Sequence, residues 1–261
     1  MEFGNGPGVH LRSQTRKAVR TIQNTEAAYK FGLQNAEVIP DVDRDGKPEL
    51  LSGTWTASVT RDGRTISNAG RAIVRSLETG EVLYELNDPE PKAESGFSLA
   101  LKGVGDVTGD GIGDIAIGAP WKSNYGRIYL FSGADGRWLR TLRSPNLIPQ
   151  SGFGDRIEVL PDLNGDGVPE LWTQGNPTSL FDGATSALLK TIESPGQRFY
   201  IGTVRQTAAP EIRAYLSIRL GVRGQVQRWR RLLHALHADS QAHAIKGDGK
   251  EWQWLRTEID R

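Results

Sequence analysis

The chain has 261 residues, of which 37% are hydrophobic and 24% charged, so it can bury the core of one large or two small domains. It has no cysteine, which excludes disulfides, zinc–thiolate centres and thiol catalysis. No apolar run approaches the length of a membrane span, and Met1–Arg20 lacks the apolar core of a secretory signal. The net charge of +1 divides unevenly: residues 1–195 are acidic overall and residues 196–261 are basic overall. Composition therefore predicts an acidic body followed by a basic C-terminal segment.

Three similar units follow one another along the chain. The starting segment, Gly8–Ile22, matches only the closing hairpin of such a unit. Each full unit begins with a Phe beside a Gly, continues through an acidic loop into a short apolar run, and ends in a hairpin. The closing hairpins are expected at Gly70–Leu86, Gly126–Leu142 and Thr178–Ile192, and Thr56–Ala69 is an insertion in the first unit. A repeat of this kind has to be recognised before the fold is assigned.

The second unit shows the strand pattern best. It predicts strands at about Phe97–Val104, Asp114–Ala119, Gly126–Phe131 and Arg137–Leu142. A four-stranded sheet of this size cannot bury both faces by itself, so sheets are expected to stack radially, as the blades of a propeller do. The predicted fold class is all-β: a β-propeller of about four four-stranded blades, complete or incomplete, with a less regular, partly helical C-terminal tail.

The C-terminal third departs from the repeat. Phe199–Ile212 resembles the front of a fourth unit that has lost its acidic residues, apolar spacing predicts a helix at Gln225–His237, and Ala244–Ile259 is compatible with a hairpin. The predicted domains are propeller repeats at 1–220 and a basic segment at 221–261. Either the starting hairpin pairs with Phe199–Ile218 to close a four-bladed ring, or the chain is a piece of a longer propeller whose open edges favour self-association.

Oxygen-bearing side chains alternate along each acidic loop. Calcium takes six to eight oxygens, often from a loop whose odd positions point inward and whose sixth position is a glycine. Positions one, three, five and nine supply side chains here, and position seven supplies a backbone carbonyl. The candidate ligands are Asp41, Asp43, Asp45, Lys47 and Glu49 in loop one; Asp106, Thr108, Asp110, Ile112 and Asp114 in loop two; and Asp162, Asn164, Asp166, Val168 and Glu170 in loop three.

These loops are not EF-hands. Position twelve is Ser52, Ile117 or Thr173 instead of a bidentate Glu, and the flanks are predicted to be strands. Magnesium is less expected, because it usually keeps several waters and binds one or two carboxylates. A single loop could equally be a metal-free turn, since Asp, Asn and Gly favour turns. Three copies at the same place in a repeat favour calcium, with loop one the strongest and loop two, with Thr108, the weakest.

The residues from Gly96-Phe97 through Gly118-Ala119-Pro120 resemble the FG-GAP repeat of the integrin alpha-chain propeller. The first and third units match its front and its loop, but they have Gly53-Thr54-Trp55 and Gly175-Asn176-Pro177 in place of Gly-Ala-Pro. The resemblance implies a β-propeller with calcium loops on one rim and a ligand surface on another. It also implies an extracellular or cell-envelope location, for which the chain shows no signal peptide.

Three other groups of residues are weaker candidates for a functional site. His234 and His237 have helical spacing but no further metal ligand beside them, and the arginines around Trp229 are read as a basic helix rather than as a nucleic-acid surface. Trp121, Trp138 and Trp172 could bind sugar, although such residues more often fill the space between blades.

No catalytic set stands out. The sequence therefore predicts a non-enzymatic, calcium-binding interaction or adhesion module for a protein or matrix ligand. The alternative is a carbohydrate-binding or substrate-targeting module of a larger secreted hydrolase or lyase.

Overall fold

The computed structural model describes residues 8–12, 18–23, 35–192, 200–201, 214–215, 218–220, 241–246 and 253–259. The chain divides into two compact units, Met1–Ile157 and Glu158–Arg261. The described residues form β-strands and one 3-10 turn at Lys122–Asn124. No helix in this described part is long and apolar enough to cross a membrane. The predicted helix at Gln225–His237 lies outside the described residues, and the predicted domain boundary at 220/221 stays a prediction.

The first unit contains two four-stranded antiparallel sheets and two hairpins. Its strands are β1 (Gly8–Arg12), β2 (Ala18–Gln23), β3 (Ala36–Ile39), β4 (Glu49–Thr54), β5 (Val59–Arg61), β6 (Arg64–Ile66), β7 (Arg71–Ser76), β8 (Val82–Asn87), β9 (Ala100–Gly103), β10 (Ile115–Ala119), β11 (Arg127–Phe131) and β12 (Trp138–Arg143). Blade one has the order β3-β4-β7-β8 and blade two the order β9-β10-β11-β12. The predicted insertion at Thr56–Ala69 contains the separate hairpin β5–β6.

The second unit contains a third blade and a C-terminal sheet. Its strands are β13 (Ile157–Val159), β14 (Leu171–Thr173), β15 (Thr178–Phe181), β16 (Leu188–Ile192), β17 (Tyr200–Ile201), β18 (Ala214–Tyr215), β19 (Ile218–Leu220), β20 (Gln241–Lys246) and β21 (Gln253–Ile259). Blade three has the order β13-β14-β15-β16. The pairing of β20 with β21 confirms the hairpin predicted at the C-terminus.

The closing of a four-bladed ring by the starting hairpin and Phe199–Ile218 stays a prediction, because most of that segment lies outside the described residues. The strands β1 and β2 form a two-stranded sheet of their own, whereas β18 and β19 pair with β21. The predicted fold class itself is confirmed, because the structure is all-β and its four-stranded antiparallel sheets are the blades of an incomplete propeller.

Blade two corrects one predicted boundary. Its first strand begins at Ala100 and not at Phe97. Gly96 and Ser98 adopt positive φ angles of 70° and 73°, and the N–H of Leu99 donates to the carbonyl of Gly96 at 3.0 Å. Phe97 therefore lies in a tight turn that precedes the strand, while the other three strands of this blade begin and end within one residue of their predicted bounds.

This turn places Phe97 in the core shared by blades one and two. Its ring is completely buried and lies 5.8 Å from the ring of Tyr129 and 6.2 Å from that of Phe131, measured between centroids. Leu51, Val74, Ile115 and Ile117 belong to the same cluster, which is drawn from strands of both blades. Burying one such phenylalanine contributes roughly 1.5–3 kcal/mol, so the Phe-Gly segment helps to hold neighbouring blades together.

Glycines stand where the backbone of a Phe-Gly segment comes very close to the preceding blade. A Cβ on Gly118, the glycine of Gly-Ala-Pro, would lie 2.0 Å from the carbonyl oxygen of Gly154. A Cβ on Gly126 would lie equally close, 2.0 Å, to the carbonyl oxygen of Phe153. In blade one, a Cβ on Gly70 would lie 2.2 Å from the carbonyl oxygen of Phe97. Real Cβ atoms do not approach so closely, so the repeat needs glycine wherever the following Phe-Gly segment docks.

Candidate metal centre

The three acidic loops occupy equivalent places in the three blades. Each connects the first strand of its blade to the second: β3 to β4, β9 to β10, and β13 to β14. Strands flank every loop, as predicted, which separates these loops from the helix-flanked EF-hand. The glycines at position six, Gly46, Gly111 and Gly167, have φ angles of 82°, 82° and 89°, a conformation that side chains rarely adopt.

The first aspartate of each loop holds the turn through backbone hydrogen bonds. Asp41 accepts the N–H of Arg44 at 2.6 Å on Oδ1 and the N–H of Gly46 at 2.7 Å on Oδ2. Asp106 and Asp162 repeat the pattern, with distances of 2.6 and 2.7 Å in loop two and 2.6 and 2.9 Å in loop three. The fifth-position carboxylates Asp45, Asp110 and Asp166 accept the N–H of position seven at 2.7, 2.8 and 2.8 Å. One backbone path therefore recurs three times.

The ninth position carries a buried carboxylate in loops one and three. Glu49 is completely buried, and its Oε2 accepts the N–H of Val42 at 2.7 Å, while its Oε1 has no hydrogen-bond partner among the described residues. Glu170 is equally buried, with Oε2 accepting the N–H of Leu163 at 2.7 Å and Oε1 again unpartnered. A buried polar atom without a partner costs about 1–3 kcal/mol, and more if it is charged. A cation bound at this oxygen would remove that cost.

Loop two differs at the ninth position. Asp114 accepts the N–H of Val107 at 2.8 Å on Oδ2 and the N–H of Gly133 at 3.0 Å on Oδ1, so both of its oxygens already have a partner. Thr108 at position three donates its hydroxyl to Asp106 Oδ1 at 3.1 Å. The candidate ligands of this loop therefore bond mainly to one another and to the backbone.

Loop one brings its acidic residues closest together. Asp41, Asp43, Asp45 and Glu49 each offer one carboxylate oxygen, and these four oxygens lie within 4.8 Å of one another. Among the described residues, loops two and three do not bring three carboxylates together in this way. At about 5 Å, each pair of like charges repels by roughly 3 kcal/mol for an effective dielectric near 20. The geometry and chemistry of loop one thus suit a divalent cation.

Loop three includes a residue that the sequence did not suggest as part of the site. Asn164 donates its amide to Asp166 Oδ2 at 3.1 Å and to Asp182 Oδ2 at 2.7 Å. Asp182 stands in the turn between β15 and β16. The equivalent positions in the turns of blades one and two are Ser76 and Ser132, so the repeat itself gave no signal for Asp182. In blade one, Glu78 of the matching turn pairs with Lys47 of loop one.

Burial changes the acidity of the ninth-position groups. The pKa of Glu49 is raised to about 7, mainly by burial and also by the negative charges of Asp43, Asp41 and Asp45, while the Val42 N–H lowers it. Burial also raises the pKa values of Asp114 and Glu170. Glu49 therefore favours either a proton or a cation when the protein is folded.

Comparison with known protein families finds a match for the segment that contains loop two. Residues 103–131 are similar to the FG-GAP repeat. This segment runs from the last residue of β9 through the whole of loop two to the last residue of β11.

The chain is also similar to several integrin alpha chains. It is 27% identical to mouse integrin alpha-IIb over 176 residues, which cover 62% of the chain and 16% of that protein. It is 27% identical to human integrin alpha-10 over 168 residues, covering 59% of the chain and 14% of that protein. It is 30% identical to human integrin alpha-D over 164 residues, covering 58% and 13%. The resemblance predicted from the sequence is confirmed, and the chain spans less than a fifth of the length of these relatives.

Proposed function

We propose that this chain is a calcium-binding FG-GAP propeller module that binds a protein or matrix ligand and catalyses no reaction. The observation that carries the metal assignment is the cluster of four carboxylates in loop one, together with the buried, unpartnered Oε1 of Glu49. Acidic clusters are common without a metal, but a buried carboxylate oxygen without a hydrogen-bond donor is not.

Calcium fits loop one better than magnesium does. The side chains of Asp41, Asp43, Asp45 and Glu49 together with the carbonyl of Lys47 form an all-oxygen donor set of the kind that calcium accepts. Loop three is the second site, with Asp162, Asn164, Asp166, Glu170 and the carbonyl of Val168. Loop two is the weakest, since both oxygens of Asp114 already have donors. At about 1 mM calcium and a Kd of about 0.1 mM, each occupied site would stabilise the fold by roughly 1.4 kcal/mol.

The interaction role is proposed from similarity. The relatives are integrin alpha chains, and residues 103–131 match the FG-GAP repeat. An extracellular or cell-envelope location and a protein or matrix ligand are part of this proposal, as is self-association through the open edges of the blades. No nucleic-acid partner is proposed.

A carbohydrate-binding role is the second candidate, because two predicted inter-blade tryptophans are exposed. Trp172 is buried, as expected for a residue between blades, but Trp121 and Trp138 expose 47% and 52% of their surface. For these two residues the prediction was wrong. Exposed aromatic side chains with a polar edge are suited to ligand surfaces.

Two measurements test the proposal. Calcium is titrated calorimetrically into chelator-stripped protein, with the Glu49→Gln variant as comparison; saturable binding that the variant weakens at least tenfold is expected. Beads coated with the chain are then tested for adhesion to collagen, fibronectin and laminin, with calcium and with chelator. Calcium-dependent adhesion to one of them is expected. Wild-type protein that takes up no calcium at millimolar concentrations would refute the metal assignment, and adhesion to none would refute the interaction role.

A further inference from the structure

A groove of about 520 Å³ lies on the outer part of blade two, beside the segment that follows β8. The residues that define its chemistry are Glu90, Lys122, Arg127, Trp138, Arg140 and Arg143. Four of these six are cations, of which Lys122 is buried and paired with Asp88; the other two are the carboxylate of Glu90 and an exposed tryptophan. The groove therefore has the composition of an anion-binding surface with an aromatic platform.

The arginines of the groove lie away from loop two, whereas Trp138 lies at the loop-two end of the sheet, because Trp138 pairs with Phe131 and Phe131 pairs with Ile115. Arg127 pairs with Ala119, the last residue of β10, whereas loop two precedes Ile115, the first residue of that strand. The length of β10 places these two ends roughly 13 Å apart, at about 3.3 Å per residue. Calcium in loop two would thus lie at the opposite end of the sheet from Arg127.

Two arginines face each other across the last strand pair. Arg127 of β11 stands directly opposite Arg143 of β12 in the antiparallel register. Like charges at directly opposed positions destabilise a sheet, unless an anion lies between them. Among the residues that the structure describes, neither arginine forms an ion pair with a carboxylate, whereas Lys122 pairs with Asp88 at 2.9 Å. The charge of Glu90, which lines the same groove, acts on Arg127 without forming an ion pair, so both guanidinium groups can still bond an anion of a ligand.

The contacts and the burial of Arg127 also favour an anion beside it. Its Nη1 donates to the carbonyl of Gly126 at 2.6 Å, which fixes the side chain at the start of β11. Burial, and next the positive charge of Arg143, lower the pKa of this guanidinium. A neighbouring anion would offset both effects, because it stabilises the charged form of each arginine.

Trp138 provides the aromatic part of the groove, as the arginines provide its positive charge. It begins β12, which is the outermost strand of blade two, and it exposes 52% of its surface. A tryptophan face stacks well against the apolar C–H face of a pyranose ring, and arginine forks match carboxylate and sulfate groups in a bidentate manner. Trp138 and Arg143 are the two ends of β12, roughly 16 Å apart at about 3.3 Å per residue, so a polymer of several sugar rings with anionic groups would be needed to reach both.

We infer that this groove binds an acidic polysaccharide, with Arg127 and Arg143 on a carboxylate or sulfate group and Trp138 beneath a sugar ring. This ligand chemistry rests on and specifies the second candidate function, carbohydrate binding; it goes beyond the proposed calcium-binding and protein-binding functions and does not require bound calcium. An acidic peptide would engage the arginines but would gain little from a flat aromatic platform.

The test uses the full 261-residue chain in chelator at moderate salt, so that it is independent of the metal assignment. Binding is measured by biolayer interferometry to immobilised polygalacturonate, dextran sulfate, neutral dextran and poly-glutamate. Polygalacturonate or dextran sulfate is expected to bind, and the stronger of the two identifies the anionic group. Neutral dextran is expected not to bind, and poly-glutamate is expected to bind at least tenfold more weakly than the better polysaccharide.

Three variants locate the site. Arg143 and Trp138 are both exposed. The variants Arg143→Gln and Trp138→Ala are each expected to weaken polysaccharide binding at least tenfold. Arg64→Gln, an exposed arginine on β6 outside the groove, makes the same change of charge and is expected to bind as the wild type does. A melting curve for each variant confirms that it is folded.

Three outcomes would overturn the inference. If Arg64→Gln weakens binding as much as Arg143→Gln does, the attraction is non-specific. If poly-glutamate binds as well as the polysaccharides and Trp138→Ala has no effect, the ligand is an acidic peptide. If Arg143→Gln leaves binding unchanged but promotes aggregation, the arginine serves only to protect the edge strand.

Discussion

The side chain of Glu49 closes loop one by accepting the backbone N–H of Val42 at 2.7 Å, across a separation of seven residues. The same relationship joins Glu170 to Leu163 at 2.7 Å and Asp114 to Val107 at 2.8 Å. One oxygen of the ninth-position carboxylate thus holds each loop in shape, and in loops one and three the other oxygen is available to a cation. Loop closure and metal binding can therefore be separated by mutation.

Asp45→Asn tests metal binding in loop one with little change to the backbone. Asparagine keeps an oxygen that can accept the N–H of Lys47, the 2.7 Å bond that Asp45 makes, but it removes one negative charge. Fewer charged ligands weaken calcium binding, so we expect the affinity of loop one to fall at least ~10-fold. Calorimetric titration of calcium measures this, and the melting temperature in chelator should stay the same or rise slightly.

Asp62→Asn is the matched control for that variant. Asp62 is exposed, lies in the β5–β6 turn and has a φ of 51°, which asparagine tolerates. It makes the same change of charge outside the metal loops, so calcium affinity should not change. Equal loss of affinity in both variants would mean that calcium responds only to overall charge.

The stability of the metal-free protein should fall as the pH rises from 5 to 8. The folded-state pKa of Glu49, about 7, lies above its ordinary value of 4.5, so the folded protein holds this proton more tightly than the unfolded chain does. The contribution is fully present below about pH 4.5 and is lost as the pH passes through 7. A shift of this size corresponds to at most about 3 kcal/mol.

Urea unfolding at several pH values, in chelator, measures this loss against the Glu49→Gln variant, which has no proton to lose at that position. Calcium binds the ionised carboxylate, so saturating calcium should flatten the dependence in the wild type. Identical pH profiles for wild type and variant in chelator would show that Glu49 ionises normally.

Asp114→Ala should destabilise the protein by the same amount with and without calcium. Its two oxygens accept the N–H groups of Val107 and Gly133, and removing them leaves two buried donors unpaired. The expected loss is about 2–4 kcal/mol. Thermal melts in chelator and in about 1 mM calcium should show equal shifts, whereas a clearly larger shift in calcium would mean that loop two is a strong metal site.

Gly118→Ala should disrupt the packing of blade two against the segment that follows it. The added Cβ would lie 2.0 Å from the carbonyl oxygen of Gly154. This oxygen belongs to the backbone, so it cannot move away without a large cost in free energy. Overpacking of this kind costs typically 1–3 kcal/mol or more.

Gly63→Ala is the comparison for that variant. Gly63 has a φ of 72° with nothing within 4 Å of the added atom, so it measures backbone strain alone, about 1 kcal/mol. If chemical denaturation shows Gly118→Ala to be no worse than Gly63→Ala, the close approach does not hold the blades.

Local patterns in the sequence were sufficient to predict the blades and the three loops. Each loop is specified by its own residues, because the first aspartate and the sixth glycine fix the turn through contacts within six positions. The strands of blade two follow from alternation within five or six residues. Phe97 was the exception: its apolar character suggested a strand, but two left-handed residues beside it make a turn.

Contacts between distant residues could not be predicted in this way. The second oxygen of Asp114 has a hydrogen-bond donor because the N–H of Gly133, nineteen positions away, lies beside it in the fold. The exposure of Trp138 depends on its place in an outer strand. The orphaned oxygen of Glu49 likewise depends on what surrounds it after folding. These are the features that distinguish one loop from another, although the three loops look alike as sequence.

The docking of each Phe-Gly segment onto the preceding blade has a consequence for how such chains change in length. The carbonyl of Phe97 fits against Gly70, and that of Phe153 fits against Gly126. If one whole repeat were removed, the glycine of the preceding repeat would meet an equivalent Phe-Gly segment in the following repeat. A deletion inside a repeat would instead remove the glycine or the Phe-Gly segment and leave the other without its contact. Insertions and losses tolerated by this architecture should therefore come in complete modules.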